Sequence, residues 1–481
     1  MSVSQIIKNK VLIYVISRYF VYGIQFISLV LIADKLGPFN YGIWGFILLI
    51  LSYMNILNLG VGNSINVLII QYKNDLSRVK DYIASAFGAS LLLIVGLIVF
   101  ALIFYLKPDL FGKFHLGFLF YVIVVIGILQ YLNLIFSNIF RARNRIFEVA
   151  FCQSTVPILI FINVLFTPAD KLLVFLVFGY LLANGLSFIL YFYRSKNLRG
   201  GKIRISYVGN ILHKGLYLFL YNSAYYLILT TASTFVSRYY SVEEYGIYSF
   251  SYNLGHSVLL LLEAFGFIIY PKVIDKLYSG DLSVAEKTLN SIRSNYISLA
   301  HGLMYAAIAL FPILIKLFSK FENSVLMLNL MALAIILSTN SFGYNTLLIA
   351  RNKEKLSAAI SGISLAVNVG LCIILIVWCK IPVYLSVLSI MGSYVCFAGM
   401  CSFFAHKMLY GDTKGFFRAV FPRNLVVPYF VAILICLVNH QQLCWIPLII
   451  FILLNKKIIL EIWSTLKAII KRPQIVDINK E

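Results

Sequence analysis

The sequence predicts an all-α polytopic membrane protein with about fourteen transmembrane helices, and three observations predict it. Apolar residues make up 61% of the 481 residues and charged residues 12%, with a mean hydropathy of +0.90. The apolar residues gather in long runs separated by short islands. The basic residues fall on alternate islands.

The runs cover roughly 11–33, 43–68, 82–106, 115–140, 148–167, 171–193, 214–237, 246–270, 294–318, 326–350, 357–379, 381–405, 424–439 and 442–460. A helix needs about 20 apolar residues to cross the hydrocarbon. Most runs reach that length; the last two are short. Unpaired backbone groups are not tolerated in lipid, so each run is expected to be helical. The first run is too long for a signal-peptide core and reads as a retained helix.

The net charge of +22 is a matter of placement. With the N-terminus inside, the inner islands hold 31 of the 40 Lys and Arg, and the outer ones hold eight. The remaining one, Arg18, lies inside a span, well away from its ends. This bias predicts both termini in the cytoplasm. It also assigns the positive charge to orientation and to anionic membrane lipids, not to nucleic acid. The seven cysteines lie in or beside apolar runs without metal spacing. No phosphate-binding glycine loop occurs, so neither a metal nor a cofactor is expected.

The chain carries an internal repeat. Tyr41–Gly42–Ile43 matches Tyr245–Gly246–Ile247 at an offset of 204. Ala142–Arg143–Asn144 matches Ala350–Arg351–Asn352 at 208, and Asn163 matches Asn368 at 205. Collinear matches near one offset predict a duplication. An even number of helices per copy makes the halves parallel repeats about an axis along the membrane normal. The expected organisation is a six-helix bundle over 1–193, a cytoplasmic linker over 194–213 and a second six-helix bundle over 214–405. Two additional helices and a tail follow over 406–481.

Transporters of this design bind substrate near mid-membrane, between the repeats. Ionisable residues in a span are costly and point to function. Tyr14, Arg18, Tyr22 and Gln25 fall on one face of the first helix. Ser249, Asn253, His256 and Glu263 fall on one face of the eighth. Asn222 and Tyr226 on the seventh helix stand where Arg18 and Tyr22 stand in the first repeat. The second helix adds Asn55, Asn58 and Asn66. The candidate substrate contacts are therefore Arg18, Tyr22, Gln25, Asn55, Asn58, Asn222, Tyr226 and Asn253. Glu263 and His256 are candidates for gating or ion coupling. Simpler roles compete with these: Arg18 as a cation snorkelling to the headgroups, the asparagines as links between helices.

The segments LGPFNYGIW (36–44), NLGVGNSI (58–65) and IIYPK (268–272) resemble the polysaccharide-export branch of the MOP transporter superfamily. The resemblance extends over essentially the whole chain. It implies a flippase for an undecaprenyl-pyrophosphate-linked oligosaccharide, such as an O-antigen or capsular repeat unit, moved from inner to outer leaflet without bond making or breaking. It also implies a V-shaped central cavity lined by the first, second, seventh and eighth helices, cationic toward the pyrophosphate. This chain departs in having Arg18 as its one clear cation within a run. H+ or Na+ is the expected coupling ion, and polysaccharide polymerase machinery a candidate partner. Two other readings stand beside it: a cation-coupled multidrug antiporter of the related extrusion branch, and a membrane-embedded polysaccharide polymerase or glycosyltransferase. The short outer loops count against the second.

Overall fold

The computed structural model describes residues 10–198, 200–278, 282–316, 319–438, 440–461 and 464. Among them there is no strand, and nine helical stretches are long and apolar enough to cross a membrane. The protein is all-α and multi-pass. Its residues cluster into two compact units, Met1–Tyr226 with Tyr240–Ser249, and Leu227–Tyr239 with Phe250–Glu481.

The first unit contains α1 (Lys10–Ile56), α2 (Val61–Gln71), α3 (Leu76–Leu106), α4 (Leu119–Ala142), α5 (Ile146–Phe166) and α6 (Ala169–Arg194). It also holds most of α7 (Ile205–Tyr239) and the start of α8 (Val242–Tyr278). At 47 residues α1 exceeds any single span, and Gly37 interrupts it with φ 67° and ψ 172° before Pro38. The contacts show that the chain reverses there. On the first leg Arg18 reaches Gln153 and Lys35 reaches the Thr167 carbonyl, so this leg climbs with α5. On the second leg Phe46 stacks on Phe114 and Asn55 bonds Gln130, so that leg climbs with α4. Helices α4 and α6 are parallel, since Asn133 meets Asn184 and Phe140 meets Tyr191. Helices α5 and α6 are antiparallel, since Thr155 meets Ser187 and Asn163 meets Phe175. The two legs of α1 therefore run in opposite directions, and the first two apolar runs are separate spans.

The second run was expected to be unbroken, but it breaks between α1 and α2. Leu59 and Gly60 take positive φ, 51° and 71°. The Asn58 side chain accepts from the Gly60 N–H at 3.0 Å and donates to the Asn55 carbonyl. At Gly60 an added Cβ would strike the Gly215 main chain, so α7 passes against this break about three turns from its start. Ser64 Oγ seals the crossing by donating to the Ile211 carbonyl at 2.9 Å.

The two Tyr–Gly–Ile copies pack on each other within the first unit. A Cβ on Gly42 would collide with the Val242 carbonyl, and a Cβ on Gly246 with the Pro38 carbonyl. Subtracting the repeat offset turns 242 into 38 and 246 into 42, so the two contacts are one contact seen twice. Gly45 meets Ser249, its own counterpart at the same offset. Only glycine permits this separation of main chains.

The second unit contains α9 (Leu282–Lys316), α10 (Val325–Thr339), α11 (Tyr344–Ala350), α12 (Glu354–Cys372) with a wide-turn extension to Trp378, α13 (Val387–Tyr410), α14 (Phe416–Val420), α15 (Arg423–Leu437) and α16 (Ile446–Leu454). The tenth run also breaks, at residues 340–343, with Gly343 at φ 83°. Arg293 of α9 fills that break and is 5% exposed. It donates to the carbonyls of Asn340 at 2.9 Å, Phe342 at 2.5 Å and Ala419 at 3.4 Å. Its guanidinium lies 3.5 Å from the Tyr344 ring centroid. Carbonyls at helix ends carry partial negative charge, so this cation is held without a carboxylate. The charge count assigned Arg293 to an inner loop; the structure makes it a buried cation. Helix α15 has 15 residues and α16 nine, both shorter than a full crossing.

The two matching triplets share one backbone turn. Asn144 and Asn352 both adopt the left-handed conformation, at φ 58° and 55°. The N–H after each bonds back five residues, Arg145 to Phe140 at 2.9 Å and Lys353 to Leu348 at 2.8 Å. The two turns superpose in sequence at the offset of 208 read from the matching triplets.

Candidate functional site

Arg18 is the charged centre of the first unit's polar face. Helical spacing sets Arg18 and Tyr22 one turn apart, and the guanidinium Nη2 donates to the Tyr22 hydroxyl at 2.8 Å. The same guanidinium carbon lies 4.8 Å from the Tyr22 ring centroid. Nη1 donates to Gln153 Oε1 of α5 at 3.3 Å. Tyr22 is 7% exposed and meets Tyr19 edge-on, so the tyrosine is a fixed wall. Among the described residues Arg18 forms no ion pair with a carboxylate. Arginine carries five N–H donors, and the described partners accept two of them. A phosphate oxygen is the natural acceptor for a half-buried guanidinium with donors to spare.

The structure brings Arg18 and Tyr22 together and adds Gln153, which sequence reasoning missed. A lone glutamine in the fifth apolar run was the available signal, but the polar faces at helical spacing lie on the first, second, seventh and eighth helices. Gln130 was missed in the same way; its side-chain oxygen accepts from Asn55 at 3.1 Å. Gln25 is exposed on the same leg as Arg18. Asn58 serves the break between α1 and α2, and Asn66 donates to Asn138 at 3.4 Å. These amides bond one another or the local main chain, and none of them is a recorded partner of Arg18. Tyr226 is 60% exposed. In the second unit Asn253 and His256 are half-buried, and His256 rests 5.8 Å from the Tyr252 ring. Tyr14, Asn222 and Glu263 lie outside the residues whose side chains are described.

A family profile described as "Polysaccharide biosynthesis protein" matches residues 7–273. The match spans more than half of the sequence, and the chain belongs to that family. Among solved structures, it is similar to the lipid II flippase MurJ in an inward closed conformation, with a TM-score of 0.72 at 16% identity, covering 94% of this chain and 99% of that one. A multidrug resistance MATE family transporter of the MOP superfamily, inward-facing, gives 0.65 at 12% identity over 82% and 98%. The Vibrio cholerae MATE transporter VcmN in its bent form gives 0.52 at 12% over 85% and 98%. Among curated proteins none matches the sequence. At these identities the solved structures establish the fold.

Proposed function

We propose that this protein is a flippase that carries an undecaprenyl-pyrophosphate-linked oligosaccharide, an O-antigen or capsular repeat unit, from the inner to the outer leaflet of a bacterial cytoplasmic membrane. The observation that carries the reading is Arg18. A guanidinium within a membrane span is held by Tyr22 and Gln153 and keeps donors for an anion. Membership of a polysaccharide biosynthesis family supports a glycan cargo, and the likeness to a lipid II flippase supports a lipid-linked one.

In this reading Arg18 takes the pyrophosphate through two parallel N–H···O bonds, and Tyr22 and Gln153 hold the fork in place. Gln25, Asn55, Asn58, Asn222, Tyr226 and Asn253 are proposed sugar contacts. Amides and tyrosines both donate and accept, as a sugar's hydroxyls require. Glu263 and His256 are proposed to bind the coupling ion, H+ or Na+. No bond is made or broken, and the cycle is one of alternating access. Purified protein in vesicles loaded with a fluorescent polyprenyl-pyrophosphate oligosaccharide tests the reading. Flipping by the wild type that disappears in Arg18→Ala supports it. Equal flipping by both removes Arg18 from the mechanism.

A further inference from the structure

An apolar cavity of about 240 Å³ opens in the first unit between α3, α4 and α6. Phe87 comes from α3, Leu132 and Phe136 from α4, and Phe188 and Phe192 from α6. Ser195, just past the end of α6, closes one end. Neither leg of α1 lines the cavity, nor does α5, so it is separate from Arg18 and Gln153. Phe192 is 48% exposed, and Leu186 and Ile189 on α6 are exposed too, so the cavity opens sideways. In a multi-pass protein that side is lipid. The walls offer almost no hydrogen-bonding groups, which excludes a sugar.

The rim at the Ser195 end is basic. Arg194 and Lys196 flank Ser195 and are exposed, and Lys80 lies one turn before the cavity on α3. The acids nearest in sequence are already engaged, Asp81 with Arg204 and Glu148 with Arg145. An apolar slot ending in cations that form no ion pair among the described residues matches a lipid with an alkyl tail and an anionic head, because cations at the headgroup level draw anionic lipid.

We propose that this cavity is a binding site for one acyl chain of an anionic phospholipid, whose phosphate lies against Arg194 and Lys196. The bound lipid fills the gap between α3, α4 and α6 and belongs to the resting protein, not to the transported cargo.

The test is native mass spectrometry of the full-length protein, delipidated in detergent and then given phosphatidylglycerol or phosphatidylcholine of the same chains. The expected result is one retained phosphatidylglycerol and little phosphatidylcholine. Arg194→Gln and Lys196→Gln, both at exposed positions, should each lower retention by about fivefold. Leu132→Trp, which fills the slot, should abolish it while the gel-filtration volume is unchanged. Equal retention of the two lipids overturns the proposal, as does full retention in the double charge variant. Displacement of phosphatidylglycerol by a short polyprenyl phosphate at equal concentration overturns it too, because it assigns the slot to the cargo's tail.

Discussion

Asp81 Oδ2 and Arg204 Nη2 lie 2.7 Å apart, and this pair fastens the segment after α6 to the start of α3. Asp81 Oδ1 also accepts from the Lys202 N–H at 2.8 Å, and Ser85 Oγ accepts from the Arg204 N–H at 3.1 Å. Gly201 slides so close to Lys80 that a Cβ there would strike its carbonyl. The segment is an anchored strap. Asp81→Asn removes the charge that holds both partners. Trypsin should then cut after Lys202 and Arg204 roughly tenfold faster than in the wild type, because local opening governs cleavage. Unchanged cleavage would show that Gly201 and Ser85 suffice.

The glycine crossing predicts a sharp contrast between neighbouring substitutions. Gly42→Ala and Gly246→Ala each force a Cβ into a carbonyl of the other copy. Overpacking of this kind costs about 1–3 kcal/mol. Gly23→Ala on the first leg meets nothing within 4 Å and should be neutral or stabilising. Thermal unfolding in one detergent ranks all three. A tolerated alanine at 42 or 246 would mean that the crossing relaxes freely.

Arg18→Ala should abolish surface polysaccharide while the amount of protein in the membrane stays near wild type. Arg18→Lys should restore only part of it, since an ammonium does not fork onto phosphate. Gln153→Leu is expected to fall between the two, because it loosens the guanidinium without removing it. Immunoblots of membranes beside polysaccharide gels separate loss of function from loss of protein.

Arg293 tests a different principle. Lysine keeps the charge but cannot reach three carbonyls in a planar fork. Hydrogen bonds from a charged donor are worth about 1.5–3 kcal/mol each, so Arg293→Lys should lower the melting temperature by several degrees. A melting temperature equal to wild type would return Arg293 to a passive role.

Orientation is open to a direct chemical test. Cys379 is the one fully exposed thiol of the seven. The proposed topology puts it outside and residue 200 inside. A membrane-impermeant maleimide should label Cys379 in spheroplasts, and should label Gly200→Cys only after permeabilisation. The reverse pattern would invert every assignment of inner and outer face.

Much of this fold could be read in the sequence, because apolar length is a coarse signal and lipid forbids alternatives to helix. The breaks at 57–60 and 340–343 were not legible. Each is set by tertiary contacts, Gly215 beside Gly60 and Arg293 beside Gly343, and hydropathy is blind to both. Arg293 itself was hidden by its position near basic loops, where a cation looks solvated. At the candidate site, spacing along one helix found the pairing of Arg18 with Tyr22. It could not find Gln153, since nothing in α1 encodes which face of α5 it meets. The matched asparagines at 144 and 352 were legible as a pattern, and the backbone supplies the reason: asparagine tolerates the left-handed turn that both ends require.

The reciprocal contact of Gly42 with the Val242 carbonyl and of Gly246 with the Pro38 carbonyl couples the two positions. Each segment presents a carbonyl, four residues before its own glycine, where the other would place a side chain. A side chain gained at one glycine displaces the main chain that confines the other, so the two positions tolerate change only together.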